Sequence, residues 1–158
     1  MISTELVNSF VVAAGEVLAS ETGVTVNRGP LSLDREVYVT DHVTVLVSLI
    51  GEVSGMAFYG MTQETAMGLL SRMMGQEVTE FDELAQSGIG ELGNVITGKA
   101  TTMMASHGYE VDISVPTLIV GQGSRISTLD IARLVIPLST ELGQFRLDLA
   151  LRDTKAGG

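Results

Sequence analysis

Cysteine is absent from this chain, which removes disulfides, thiol chemistry and zinc–thiolate sites together. Histidine is scarce: His42 and His107 are the only two, and no His-x3-His spacing offers a metal-binding helix face. Basic residues are few, 9 Lys and Arg against 19 Asp and Glu, and the net charge of −10 disfavours phosphate backbones and anionic bilayer surfaces alike. Neither nucleic acid nor membrane is therefore an expected partner. No apolar run reaches the roughly 18 residues that a membrane-spanning helix needs. Over residues 1–20, Glu5, Asn8 and Glu16 interrupt the apolar pattern and no basic stretch precedes it. That pattern reads as a helix start rather than a secretory leader, so a cytoplasmic protein is expected. There is no Walker A motif, and Ser87 lacks the glycine two residues ahead that a nucleophile elbow requires.

What is present is enough apolar residue, 45% of 158, to build one good core. Ser3 predicts the cap of a first helix running to about Ser20, with Leu6, Phe10, Ala14, Val17 and Leu18 inward and Gly23 as its stop. Val24 to Leu33 reads as extended, broken at Gly29-Pro30. Two β-branched runs, Val43 to Ile50 and Val53 to Tyr59, flank Gly51-Glu52 and predict a hairpin. Thr62 and Gly75 bracket a second helix with Ala66, Leu69, Leu70, Met73 and Met74 as its core face. Thr79 and Asp82 announce a long third helix ending near His107-Gly108. Tyr109 to Ser114, Asp130 to Leu138 and Gln144 to Leu151 read as strands; in the last, Phe145, Leu147, Leu149 and Leu151 alternate with Arg146, Asp148 and Ala150. The expected fold class is α+β: a largely antiparallel sheet covered by a helical layer, in a single domain over 1–153, with 154–158 as a frayed tail.

The third helix carries the informative pattern, Ser87-x3-Glu91-x2-Asn94. With Glu91 at zero, Ser87 falls at about −40° and Asn94 at about −60° on a helical wheel, whereas Ala85, Ile89, Leu92, Ile96 and Met103 fall between about 100° and 160°. One arc is built for a core; the other displays a hydroxyl, a carboxylate and a carboxamide. Gly88, Gly90 and Gly98 thin the helix, either to let a partner approach or to pack against another helix, and Gly93, on the other side, reads as close helix–helix packing. Five acids between residues 77 and 91 (Glu77, Glu80, Asp82, Glu83, Glu91) suit a helix N-terminus and equally an acidic rim that steers a basic partner. A shift of 86 residues superposes Glu5-x2-Asn8 on Glu91-x2-Asn94 and Pro30 on Pro116. Twenty-one residues lie between Asn and Pro in both copies (9–29 and 95–115), which predicts a pseudo-twofold internal repeat with residues 62–75 inserted.

On these residues the chain resembles the CheC/CheX/FliY phosphatases of bacterial chemotaxis, whose signature is Asp or Ser-x3-Glu-x2-Asn followed some twenty residues later by Pro: here Ser87, Glu91, Asn94 and Pro116. The sequences Asp82-Glu83-Leu84-Ala85 and Gly90 to Asn94 look most like the CheX-type members, and the Asn94–Pro116 interval is one residue shorter than the family's usual one. The first copy keeps Glu5 and Asn8 but has Met1 where the pattern has Asp or Ser, which marks it as a degenerate second site. The resemblance implies dephosphorylation of a phosphorylated CheY-like response regulator. Asn94 would place the attacking water and Glu91 would pair with the regulator's lysine. Ser87, Gly90 and Gly98 would contact the partner. It implies no cofactor of the chain's own, with Mg2+ on the regulator, and a homodimer. The alternative is a non-catalytic regulator-binding or flagellar-switch module of the same fold. A small-molecule hydrolase has no nucleophile, base or metal set to work with.

Overall fold

The computed structural model describes residues 2–155. The helices begin where the capping residues place them. In α1 (Thr4–Thr22) the Ser3 hydroxyl accepts the Leu6 N–H, and Gly23, at φ 75°, closes the helix by donating to the Ala19 carbonyl. In α2 (Gln63–Met74) Thr62 caps the start and Gly75 takes the left-handed position after its end. In α3 (Glu83–Ser106) the Asp82 carboxylate accepts the Ala85 N–H. Thr79 lies outside that cap. The apolar arcs of all three helices are buried as the periodicity demands, except that Met73 and Met103 are half-buried and Met74 is exposed at the last turn of α2.

Ten strands accompany them: β1 (Asn27–Arg28), β2 (Ser32–Asp34), β3 (Tyr38–Val39), β4 (Val43–Gly51), β5 (Val53–Met61), β6 (Val111–Ile113), β7 (Thr117–Val120), β8 (Arg125–Ile126), β9 (Arg133–Thr140) and β10 (Gly143–Asp153). Eight form one antiparallel sheet with the path β1-β9-β10-β5-β4-β6, β2 joining β9 and β7 joining β4. The pairing is exchanged between halves. Strands β1 and β2, which follow α1, pair with β9, while β6 and β7, which follow α3, pair with β4. At the centre β5 and β10 pair with Gly60 opposite Arg146, two residues 86 apart in sequence. Five strands follow each of α1 and α3, two more than the three extended runs that the sequence shows in each half.

One face of the sheet meets the helices in the main core, where Leu6, Phe10, Ile89, Leu92, Ile96, Val45, Tyr59, Phe145 and Leu147 are buried together. The opposite face carries a second, smaller core that alternation alone does not reveal. Strands β3 and β8 pair with each other as a two-stranded ribbon. It supplies Tyr38, whose ring stacks on Phe58 with centroids 4.2 Å apart, next to Ala150, and Ile126 packs against this group. Asp148 and Ala150, which belong to the expected solvent side of β10, are for this reason fully buried. Two residues of the expected tail, Thr154 and Lys155, are held by hydrogen bonds. Thr154 donates to the Gly51 and Glu52 carbonyls and Lys155 to Gly108, whereas residues 156–158 lie outside those described.

Under the same ribbon sits Asp41, half-buried beside Gly60, and burial raises its carboxyl above the usual carboxylate range, with Arg146 pulling the other way. A group whose folded pKa is raised favours folding below its unfolded pKa and loses that contribution as pH rises through the folded one. Its ionised form is thus a burden at neutral pH. Asp41→Asn is expected to raise Tm by about 1–2 °C at pH 7, the gain fading as the pH falls and the parent carboxyl protonates. A pH series of thermal melts on both proteins checks this; an equal gain at every pH would rule out ionisation as its source.

Candidate functional site

The site is built on the outward arc of α3. Ala85, Ile89, Leu92 and Ile96 anchor the inward arc in the core, which fixes the helix rotation and leaves Ser87 and Glu91 exposed and Asn94 half-buried. Glu83, Gln86, Ser87, Gly90, Glu91, Pro116 and Leu118 line one shallow depression. Pro116 reaches it from the other half of the sequence pattern. It precedes β7, whose pairing with β4 (Thr117 opposite Leu46) brings it alongside the helix. A Cβ on Gly90 would stand 3.8 Å from Pro116 Cγ, an ordinary contact, so Gly90 is where helix and proline meet. Ser114, whose side-chain oxygen accepts the Ser48 N–H at 2.9 Å, pins the approach of this segment.

Two buried side-chain atoms among the described residues lack a hydrogen-bond partner, the Tyr38 hydroxyl in the smaller core and Oδ1 of Asn94 at this site. Turning the amide over only exchanges oxygen for nitrogen at the same place. A carboxamide with an unmet hydrogen-bonding end inside a protein costs about 1–3 kcal/mol, and such costs persist mainly where function needs the group. The flanking residue Gly93 explains how close α3 sits to the sheet: a Cβ there would lie 2.7 Å from Val45 Cγ1. Packing is therefore the reason for this glycine, but against the sheet and not against another helix, because the inward arc of α3 here faces β4 and β5. Gly88 has the same explanation, since its Cβ would meet Leu70 of α2 at 2.6 Å; partner approach is not needed to account for it. Gly98 has room, its Cβ being 3.9 Å from Ile113 Cδ1.

Three residues beyond the signature belong to the same surface. Leu84 (68% exposed) and Val95 (40%) stand on the outward arc of α3, and Val115 (83%) immediately precedes Pro116. On the wheel Leu84 and Val95 fall at about 20° and 40°, next to Glu91, so periodicity could have found them. Val115 could not be found that way, because only the β4–β7 pairing brings it near. The acids of the helix entry, Glu77, Glu80, Asp82 and Glu83, are all exposed. Among the described residues no group of three or more His, Asp or Glu is arranged to hold a metal ion. No described helix is long and apolar enough to cross a membrane.

The degenerate copy lies apart. Glu5 and Asn8 are both exposed on α1, Glu5 standing 4.0 Å from His107 Nδ1 at the end of α3. Ser3 caps α1, and Asn8 stands inside the helix. Met1, the residue that breaks the pattern, is outside the described residues.

The fold closely matches that of a CheC-like superfamily protein from Shewanella, with a TM-score of 0.86 over 96% of this chain and 99% of that one at 21% identity. An exchanged antiparallel sheet under two central helices thus defines the class as CheC-like α+β proteins. The family model for chemotaxis phosphatase CheX matches residues 43–139. The CheY-P phosphatase CheX of Thermotoga maritima is 30% identical over 154 residues, 97% of each chain. The CheX of Borrelia burgdorferi, solved in a CheX–CheY–BeF3–Mg2+ complex, matches with a TM-score of 0.81 and 27% identity over 95% of this chain and 99% of that one. The chain belongs to the chemotaxis phosphatase CheX family.

Proposed function

We propose that this chain hydrolyses the phospho-aspartate of a CheY-like response regulator in the cytoplasm. The observation that carries the reading is the outward arc of α3, where Asn94 keeps an unpartnered carboxamide oxygen one turn from the exposed carboxylate of Glu91. Kinship with the Thermotoga CheY-P phosphatase supplies the substrate class. The Borrelia complex supplies the partner and the Mg2+, which here is expected on the regulator rather than on this chain.

The chemistry asks little of the protein. Hydrolysis of an acyl phosphate is downhill, so the catalyst has chiefly to hold water in line with the P–O bond that breaks. Water adds to phosphorus, the regulator's carboxylate leaves, and inorganic phosphate is the other product. A carboxamide can accept from the water while donating to a phosphoryl oxygen, and it brings no negative charge to the phosphate; the Oδ1 that is buried in the free chain turns outward about its side-chain bonds when the regulator docks. Glu91 pairs with the regulator's lysine and sets the register. Ser87 and Gly98 face the partner, Gly90 lies buried against Pro116 and lets that segment sit close beside them, and Leu84, Val95 and Val115 supply the apolar part of the contact. The acidic helix entry steers a basic regulator surface toward the site.

The test is the decay of a phosphorylated CheY-type regulator in Mg2+ with and without this chain. Faster decay at substoichiometric chain is the expected result. Binding that depends on phosphorylation but leaves the lifetime unchanged would replace this reading with that of a docking module.

A further inference from the structure

Beneath Asn94 lies a buried polar junction that the fold does not require. Tyr59 and Thr97 are both fully buried, and the Tyr59 hydroxyl is 2.7 Å from Thr97 Oγ1. Thr97 spends its own proton on the Gly93 carbonyl, also at 2.7 Å, so Tyr59 is the donor in the pair. The chain of bonds therefore runs from the centre of the sheet, through Tyr59 and Thr97, to the peptide group that joins Gly93 to Asn94. Close packing acts at the same point, where the missing Cβ of Gly93 lets Val45 and the Tyr59 ring approach the helix.

The molecule contains its own control. Gly60 and Arg146, 86 residues apart, face each other across the β5–β10 pair, as equivalent positions beside a local twofold axis do. The same shift converts Gly93, Thr97 and Tyr59 into Val7, Val11 and Phe145. Phe145 is buried, with its ring centroid 5.9 Å from that of Tyr59, and Val7 is buried in α1. Under α1, which carries the degenerate Glu5 and Asn8, the junction is thus wholly apolar. Under α3, which carries the full signature, it is hydrogen-bonded. Buried hydroxyls add little net stability over well-packed apolar groups. What they add is direction, because a hydrogen bond fixes rotation and height where apolar contact tolerates sliding.

We infer that Tyr59 and Thr97 are positioning residues for catalysis, holding the Gly93–Asn94 peptide so that the Asn94 carboxamide presents at one fixed angle. The inference rests on the proposed phosphatase function. Misplacement by about 1 Å can lower a rate by about a hundredfold, and a partial loss of alignment is expected here.

The experiment measures steady-state turnover of phosphorylated regulator by the full chain, with folding checked by circular dichroism and thermal melts. Tyr59→Phe and Thr97→Val are each expected to lower kcat by about tenfold with KM within about twofold of the parent. Thr97→Ser, which keeps the hydroxyl, is expected to restore the parent kcat. Lower Tm with an unchanged kcat in both variants would make the junction structural and overturn the inference alone. A raised KM at unchanged kcat would do the same. If the parent chain itself does not accelerate decay, the phosphatase reading falls and this inference falls with it.

Discussion

Replacing Asn94 by alanine is expected to return the phosphorylated regulator to its intrinsic lifetime while leaving the protein as stable as its parent. The two halves of that expectation come from the same atom. Half-buried Asn94 has an Oδ1 shut away from water with no hydrogen-bond partner. Its removal therefore deletes an unmet polar group rather than a contact, and the change in stability is expected to lie within about 1 kcal/mol, on the stabilising side if anywhere. Turnover is another matter. If the carboxamide alone orients the water, its loss removes the positioning effect, which is worth about a hundredfold or more. Binding to the regulator should persist, because Glu91, Leu84, Val95 and Val115 are untouched. Regulator decay, affinity for a BeF3-loaded regulator and a thermal melt, measured on parent and variant, check all three. Parent-like turnover by Asn94→Ala would end the assignment of Asn94. A large loss of Tm would show that the group serves the fold instead.

The largest stability effect is expected far from that site, on the other face of the sheet. Asp148 is fully buried and accepts from Arg146 Nε at 2.7 Å, Arg146 Nη2 at 2.8 Å and Arg133 Nε at 3.1 Å. Arg133, itself 1% exposed, continues to Asp34 at 2.9 Å and to the Glu36 carbonyl. The hydrogen bond to Asp148 is the main reason that the Arg146 guanidinium is held in its charged form more firmly than usual. Asp148→Ala leaves two guanidinium groups facing one another with their shared carboxylate gone. Breaking a buried pair in this way costs about 3–5 kcal/mol, a large part of the 5–15 kcal/mol that typically separates folded from unfolded domains. An exposed pair such as Lys99–Glu16, 2.8 Å apart, should by contrast contribute only about 0–1 kcal/mol. Urea unfolding of Asp148→Ala beside Glu16→Ala measures the difference. A loss under about 1 kcal/mol for Asp148→Ala would mean that water reaches the cluster and solvates the arginines.

The contrast between these two sites follows how much of each the sequence announces. Ser87, Glu91 and Asn94 are legible because their relation is local: spacings of four and three residues share a helix face whatever the rest of the chain does. The caps Ser3, Thr62 and Asp82 and the stops Gly23 and Gly75 are local too, and they are found where the sequence places them. The Gly51-Glu52 hairpin joins neighbours in sequence and is likewise readable. Strands β3, β7 and β8, of two to four residues, have too little pattern of their own and exist through pairing with partners far along the chain. Asp148 reads as a surface residue for the same reason. Its alternation in β10 says which side of the sheet it faces, but only the β3–β8 ribbon decides that this side is covered.

The sequence by itself determined three helices and their limits, the antiparallel character of the sheet, and a hydroxyl, a carboxylate and a carboxamide on the outward arc of α3. Tertiary structure alone decided that Pro116 and Val115 meet that helix, that Gly88 serves α2 and Gly93 the sheet, that Asn94 keeps an oxygen without a partner, and that Tyr59 and Thr97 stand beneath it. The division has one physical cause. Helical periodicity and capping are settled within a few residues, whereas closeness between distant segments depends on strand register, which the whole chain must agree upon before any pair of side chains can meet.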